Sequence, residues 1–417
     1  MEIPFTNMTR EKKERLLAFS LWSALAFWLV WLLVAAIAQG WGIDFQHFWC
    51  AARTILDGKD PYIQILQYPG APILPPGDQL YHLPWVAYLF VPLGFFEYGT
   101  AIRLWAGFNG LLMVFSIYCL VRLLNKIIPS WGVPLVCMAV VLMEVRTLQA
   151  AQIGMVVADG LLFGTVLREG RKPLAAGIAF TLVLFKPWIA FGFLLPIFWF
   201  ALVRKERALW LGFLGGCFAL VAGTSLLWPG WWISYLHVDF SNALGIKVGG
   251  VYLKSWPVST IFDFTRFILK LPQSPLLFWA QVVFLFLLAV LLLGMIGKAW
   301  QKRQVDDNFV AGACGLLGLL VIPYVRYVDY PVLALWWTGV AVLIFRHPGI
   351  RRSGKWLIAA MILVALSFPF GSHLEPWMYQ LPLMLYAATA TGLLLLRYTS
   401  IPDSSRRPTD FPQRSKG

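Results

Sequence analysis

Residues 16–38 read LLAFSLWSALAFWLVWLLVAAIA, an uninterrupted stretch with no charged side chain. At about 1.5 Å per residue, a helix over this stretch crosses a hydrocarbon core of about 30 Å. Basic residues precede the stretch and no small-residue cleavage site follows it, which indicates a retained first span rather than a signal peptide. These basic residues are Arg10, Lys12, Lys13 and Arg15.

Apolar stretches of this kind recur along the whole chain. Of the 417 residues, 59% are hydrophobic and 13% are charged, whereas soluble domains carry about 25% charged residues. We therefore predict an all-α polytopic membrane protein with about twelve transmembrane helices. The predicted spans cover 16–38, 98–124, 131–144, 151–167, 173–186, 188–203, 208–228, 275–297, 308–323, 331–345, 356–370 and 376–396.

The net charge of +14 would suggest nucleic-acid binding in a soluble protein. In a membrane protein, Lys and Arg instead collect in cytoplasmic loops and set the orientation. With about twelve spans, all basic clusters fall on one side, so we predict cytoplasmic N- and C-termini in the plasma (inner) membrane and no nucleic-acid partner. We predict one membrane domain over 1–400 and a disordered cytoplasmic tail over 401–417, because the tail is polar and rich in Pro and Ser.

Two outer loops are long, one over 39–97 and one over 229–274. In the first, apolar residues recur at helical spacing between Asp44 and Gly58, which are suited to begin and end a helix. We expect its apolar stripe to lie on the membrane interface. Residues 85–96 are too few to span a bilayer and predict a second interfacial helix.

Asp44 has two interpretations that the sequence leaves open. As an N-cap, its carboxylate would accept a hydrogen bond from a backbone amide at the helix start, a contact worth about 1 kcal/mol. As a general base, it would take a proton from an acceptor hydroxyl. The two roles are compatible, because one oxygen can cap the helix while the other faces a cavity.

Four further charged residues stand in or beside apolar runs. Lys186 either snorkels to the outer interface or binds a phosphate as a point charge. Arg326 and Asp329 share a short outer turn, either as an interfacial ion pair or as part of a site in which Arg326 holds a phosphate. Asp159 lies inside an apolar run and is either a functional group or a hydrogen-bonding residue of the bundle.

The sequence lacks the motifs of nucleotide-binding and metal sites. It contains no Walker A sequence and no G-x-G-x-x-G at a strand–helix junction, which argues against a soluble nucleotide-binding domain. The five histidines and five cysteines lack the spacing of metal ligands, and the cysteines are scattered singly. We therefore predict no metal and no cofactor, and we expect the cysteines to be packing residues.

The first outer loop resembles the signature of a known family. Asp44, then Ala-Ala-Arg at 51–53 and Leu-Asp-Gly-Lys-Asp-Pro-Tyr at 56–62, are similar to the first-loop motif of the membrane glycosyltransferases of family 87. That family includes polyprenyl-phosphate-mannose-dependent mannosyltransferases. Later segments match the family pattern in order, namely Tyr81-His82-Leu83-Pro84, Gln152-Ile153-Gly154, Ala176-Gly177, Lys186-Pro187 and 323–329.

This resemblance implies a GT-C fold with its active site on the non-cytoplasmic face. It implies a polyprenyl-phosphate-linked sugar donor, a glycan or glycolipid acceptor, and Asp44 as the general base of an inverting transfer. Lys186 and Arg326 would bind the donor phosphate. Other candidate site residues are Tyr62, Tyr81, His82, Gln152, Tyr327 and Asp329. A histidine that some members have in the late outer loop is missing, and Asp329 or Tyr327 is the candidate to replace it.

A polytopic transporter or lipid flippase is the alternative function, because an even number of spans with both termini inside is also typical of transporters. Transporters commonly carry paired inverted repeats. The sequence shows no such halves, and its long aromatic outer loops are asymmetric. A non-catalytic scaffold of an envelope assembly is a third hypothesis, which no specific feature favours.

Overall fold

The structure is a computed structural model. It describes residues 8–40, 42, 44–74, 78–238, 306–321 and 327–346, together with isolated positions between 283 and 297. Within these residues, every regular element is a helix. The tail and the spans predicted at 356–370 and 376–396 lie outside the described residues, as does nearly all of 275–297.

The α-helices with described bounds are α1 (Arg10–Gln39), α2 (Phe45–Leu56), α3 (Pro84–Gly94), α4 (Tyr98–Leu124), α5 (Gly132–Ala150), α6 (Gly154–Glu169), α7 (Pro173–Phe180), α8 (Pro187–Val203), α9 (Arg207–Leu227), α10 (Trp231–Leu236), α11 (Asp307–Val321) and α12 (Ala334–Arg346). Two 3-10 helices accompany them, Thr181–Phe185 and Tyr327–Leu333. The helical character predicted from the sequence is confirmed.

Two predicted spans differ from the helices in a way that matters for the site. The span predicted at 131–144 is α5, which continues to Ala150 because Glu144 is buried inside the bundle and does not end the helix. The span predicted at 173–186 is divided into α7 and a 3-10 helix that ends at Phe185. The break places the next residue, Lys186, at a junction rather than within a continuous helix.

Four helices in the described part of the chain are long and apolar enough to cross a membrane: α1, α4, α5 and α9. α1 and α9 expose most of their apolar side chains, as lipid-facing helices do, whereas α5 is largely buried between its neighbours. α5 therefore lies at the centre of the bundle, and the loop that follows it is held by packing on several sides. A total of about twelve spans stays a prediction.

An ion-pair network joins the loops at one end of the bundle. Arg168 donates to both carboxylate oxygens of Glu206, at 2.9 and 3.0 Å, and Arg204 forms a two-pronged pair with Asp307. The network connects the last turn of α6, the α8–α9 loop and the start of α11. These segments share one end, as the distribution of basic residues predicts, and the α5–α6 loop lies at the opposite end of α6.

The apolar stripe of α2 packs against side chains of α3 and α4. Phe45 and Phe48 contact the ring of Phe90 in α3, with centroids 6.0 and 4.8 Å apart, and Trp49 contacts Tyr98 of α4 at 5.4 Å. Phe45, Phe48 and Trp49 are all buried. The prediction that this stripe lies on the membrane interface is wrong, because α3 and α4 cover it.

α7 and α9 cross with their backbones in contact. A Cβ atom added at Gly212 would lie 2.0 Å from the carbonyl oxygen of Leu174, and one at Gly177 would lie 2.1 Å from that of Leu209. Small residues allow such close approach between membrane helices. The crossing fixes α7 and thereby the 3-10 helix that leads to Lys186.

We expect Gly212→Ala to lower the thermal unfolding midpoint of the protein in detergent, because overpacking of this kind costs about 1–3 kcal/mol. Gly215→Ala is the matched control on the same helix, since a Cβ atom there meets nothing within 4 Å. Equal midpoints for the two variants would contradict the proposed close crossing.

Candidate functional site

Asp44 precedes α2, and the α5–α6 loop holds it through two contacts. The Asp44 backbone N–H donates to the Ala150 carbonyl at 3.0 Å, and Gln152 Nε2 donates to Asp44 Oδ2 at 2.7 Å. Although Asp44 occupies the N-cap position, its side chain makes no capping hydrogen bond to α2. The capping interpretation of this carboxylate is therefore wrong, and the carboxylate instead points to the loop between α5 and α6.

The α5–α6 loop has a strained but well-supported backbone. Ala151 has φ of 53°, a left-handed conformation that costs a residue with a Cβ atom about 1–2 kcal/mol. The Ala151 N–H donates to Leu148 O and the Gln152 N–H to Thr147 O, both at 3.1 Å. Trp105 Nε1 donates to Ala151 O at 2.9 Å. These bonds fix the position from which the Gln152 side chain reaches Asp44.

Lys186 and Asp329 form a buried ion pair. Lys186 Nζ contacts Asp329 Oδ1, and the side chains are 3% and 0% exposed. Lys186 therefore does not snorkel to the interface. Asp329 belongs to the second 3-10 helix, so the pair connects that helix to the α8 junction. Arg326 lies outside the described residues, and of Tyr327 only the backbone is described.

His82 lies between Asp44's helix and Lys186. Its ring contacts Phe48 and His47 of α2, with centroids 5.1 and 6.5 Å apart, and Trp188 at 5.7 Å. Trp188 in turn lies 6.0 Å from Lys186 Nζ. Both ring nitrogens of His82 are buried and have no hydrogen-bond partner among the residues that the structure describes. The imidazole thus connects the start of α2 with the Lys186–Asp329 pair.

The surroundings of His82 favour its neutral form. Burial lowers the pKa of His82 well below the ordinary value of 6.5, and the nearby charges of Lys186 and His47 lower it further. A neutral imidazole offers one N–H donor and one acceptor nitrogen. His82 is therefore suited to hydrogen bonding with a ligand that enters this space, and it adds no positive charge.

Tyr62 and Tyr81 flank His82 in the segment between α2 and α3. Tyr62 is buried, donates its hydroxyl to the His82 carbonyl at 2.8 Å and stacks on Trp228. Tyr81 stacks on His47, with centroids 6.0 Å apart. His47 Nδ1 lies 2.9 Å from Asp78 Oδ2. Neither His47 nor Asp78 stood out in the sequence, because both act through contacts with segments distant in the chain.

Asp159 lies away from these residues, deeper in the bundle. Its Oδ1 is 2.7 Å from Ser116 Oγ, and Glu144 Oε1 is 2.8 Å from the same hydroxyl. The hydrogen-bonding interpretation of Asp159 is confirmed. Sequence reasoning missed Glu144, because the span was predicted to end there. An acidic residue in an apolar run was the signal that could have found it.

The sequence model of glycosyltransferase family 87 matches residues 82–323, more than half of the chain. The chain belongs to glycosyltransferase family 87. The resemblance found in the sequence is therefore confirmed, and the protein is a membrane glycosyltransferase. No curated protein and no solved structure matches the chain.

The family match covers part of the candidate site directly. His82, Gln152 and Lys186 lie within the matched residues, whereas Asp44 precedes them and Asp329 follows them. The structure connects the two outlying carboxylates to matched residues, because Asp44 bonds to Gln152 and Asp329 pairs with Lys186. The candidate site of this family 87 glycosyltransferase thus extends beyond the matched segment on both sides.

We expect Asp329→Asn to destabilise the protein strongly. It leaves the buried Lys186 ammonium without its carboxylate, and breaking a buried pair costs about 3–5 kcal/mol. The double variant Lys186→Met/Asp329→Leu should recover part of that loss, because it removes both buried charges. Chemical unfolding in detergent measures both effects.

The exposed pair between Arg10 and Glu14 is the control for this experiment, since its side chains are 84% and 39% exposed. Glu14→Gln should change stability little, because surface ion pairs contribute little. If Asp329→Asn is as stable as Glu14→Gln, the buried pair has no structural role.

The lowered pKa of His82 predicts a pH dependence of stability. Below pH 6.5, the unfolded chain binds a proton at His82 that the folded chain does not, so stability falls as the pH falls. His82→Phe should make the unfolding midpoint less sensitive to acid, whereas His237→Phe, at an exposed histidine, should not. Identical pH profiles for wild type and His82→Phe would refute the neutral, buried imidazole.

Proposed function

We propose that this family 87 enzyme transfers a hexose, most simply a mannose, from a polyprenyl-phosphate donor to a glycan or glycolipid of the cell envelope. Asp44 is the general base of the proposed reaction. The observation that supports this role is the Asp44 carboxylate itself, which does not cap its helix and accepts a hydrogen bond from Gln152. Because the side chain makes no capping hydrogen bond, N-capping does not explain a carboxylate at this position.

The hydrogen bond from Gln152 orients the carboxylate without neutralising it. An ionised carboxylate has roughly four acceptor positions, and the amide of Gln152 uses one of them at Oδ2. Because Asp44 is partly exposed, an acceptor hydroxyl can approach it. A general base must lie within hydrogen-bond reach of the proton that it removes.

The proposed reaction is a single displacement with inversion. The acceptor oxygen forms a bond to the anomeric carbon as the bond from that carbon to the phosphate oxygen breaks. The acceptor proton moves to Asp44, and polyprenyl phosphate leaves. A two-carboxylate glycosidase needs an acid for its leaving group, whereas a phosphate leaves as a stable anion. One base and nearby positive charge therefore suffice.

Lys186 is the proposed ligand of the donor phosphate. Its ammonium has three donors, of which Asp329 Oδ1 accepts one. The remaining donors are available to a phosphate on the side of Trp188 and His82, where the ring nitrogens of His82 lack a partner. Asp329 would then orient Lys186, and Arg326 would supply a second positive charge.

The different chemistry of the two ends of the bundle supports a site on the non-cytoplasmic side. The loops with Arg168 and Arg204 lie at the end opposite the α5–α6 loop and Asp44. Basic loops face the cytoplasm, so the proposed site opens to the non-cytoplasmic side. The transporter alternative loses its support, because the chain belongs to a family of glycosyltransferases.

We expect Asp44→Asn to reduce sugar transfer by at least about a hundredfold, the usual contribution of general base catalysis. The asparagine keeps an oxygen that can accept from Gln152, so the fold should persist. The assay uses purified full-length enzyme, polyprenyl-phosphate mannose and envelope glycolipids, with products identified by mass spectrometry.

Asp57→Asn is the matched control, because Asp57 lies at the other end of α2 and bonds to Tyr68. It should transfer sugar at the wild-type rate. Equal activity of the two variants would remove Asp44 from the mechanism. Absence of transfer by the wild type from any polyprenyl-phosphate sugar would instead refute the proposed donor class.

A further inference from the structure

Three helices meet at one hydroxyl inside the bundle. Ser116 of α4 lies 2.8 Å from Glu144 Oε1 of α5 and 2.7 Å from Asp159 Oδ1 of α6, measured from its Oγ. All three side chains are buried. This carboxyl triad is separate from the proposed reaction, in which none of its members takes part.

Counting hydrogens assigns the protonation of the triad. A serine hydroxyl has one hydrogen and can donate to a single carboxylate. A second ionised carboxylate at hydrogen-bond distance would face the hydroxyl oxygen with no hydrogen between them. Both contacts are short enough to be hydrogen bonds, so at least one of Glu144 and Asp159 must donate to Ser116 as a carboxylic acid.

We propose that Glu144, Ser116 and Asp159 form a proton-binding site that holds an exchangeable proton at neutral pH. The lack of a neighbouring positive charge supports a protonated site. No ion pair among the described residues involves Glu144 or Asp159, and the titratable neighbours identified are Cys119 and Cys137. Without a cation, two buried carboxylates would repel each other in a medium that screens charge poorly.

A fourth buried polar group, Asn109, lies on the same face of α4 as Ser116. Asn109 lies seven residues before Ser116 on α4, a separation that differs from two full turns by only about 20°. Asn109 is fully buried, and neither atom of its amide has a hydrogen-bond partner in the described structure. The second oxygens of Glu144 and Asp159 are also buried and unpartnered. Buried polar groups without protein partners are common ligands of internal water, and such water would give the proton a route of exchange.

The triad has a structural consequence for the candidate site. Glu144 and Asp159 stand about 10 Å along their helices from the α5–α6 loop, at about 1.5 Å per residue. Trp105, four residues before Asn109 on α4, donates to Ala151 in that loop. α4 therefore contacts the α5–α6 pair at two places, through Trp105 at the loop and through Ser116 deeper in the bundle. At the deeper contact, the bound proton removes the repulsion between the two carboxylates.

Infrared spectroscopy of the purified full-length protein at neutral pH tests the proposal. The wild type should show the C=O stretch of a protonated carboxylic acid, and Glu144→Gln/Asp159→Asn should lack it. Glu14→Gln, at an exposed ion pair, should retain it. A carboxylic-acid band that persists unchanged in the double variant would overturn the proposal.

A second measurement uses only the wild type, so its result does not depend on whether the double variant folds. Carbon-isotope labels in the side-chain carboxyl groups of aspartate, and in a separate sample of glutamate, should shift the band in at least one sample. Absence of any label-sensitive carboxylic-acid band would mean that both groups are ionised, as they would be around a bound sodium ion, and would overturn the proposal. Neither result depends on whether the enzyme uses a polyprenyl-phosphate donor.

Discussion

The α5–α6 loop is the constraint on which the candidate site depends. It accepts the backbone N–H of Asp44 at Ala150 and donates the Gln152 amide to the Asp44 carboxylate. Ala151 adopts a left-handed conformation between them, and Trp105 holds that strained residue from α4. Strained backbone persists where its surroundings fix it, and such positions cluster at functional sites. The start of α2 is thereby anchored to α5 and to the loop that follows α5.

Burial of charge requires compensation throughout this protein. Lys186 is compensated by Asp329, and the two connect the α8 junction with the second 3-10 helix. Glu144 and Asp159 are compensated by sharing a hydroxyl, with the proposed proton between them. The network of Arg168, Glu206, Arg204 and Asp307 at the other end is more exposed than these groups, and its side chains pair with one another. The two ends of the bundle therefore differ in chemistry, which supports a site at the Asp44 end.

Within the part of the chain that the structure describes, sequence patterns predicted most helices, because apolar periodicity and length are local properties. They also identified Asp44, Gln152 and Lys186 as candidates, but they could not assign partners that are distant in the chain. The bond between Asp44 and Gln152 spans more than a hundred residues. The apolar stripe of α2 was predicted to lie on the membrane interface. An apolar helix face has the same local sequence whether it contacts lipid or the aromatic rings of another helix, here those of α3. Glu144 was missed because the predicted span ended at that residue, which hid its place inside a longer buried helix.

We propose that the glycosyl donor binds at the end of the bundle where the α5–α6 loop holds Asp44. An experimental structure of the full-length enzyme with a non-hydrolysable polyprenyl-phosphate sugar analogue tests this binding site most directly. We expect the phosphate beside Lys186 and the anomeric carbon facing the Asp44 carboxylate. A phosphate bound at the opposite end, near Arg168 and Arg204, or an Asp44 carboxylate with no space beside it for an acceptor, would show that the proposed site is wrong.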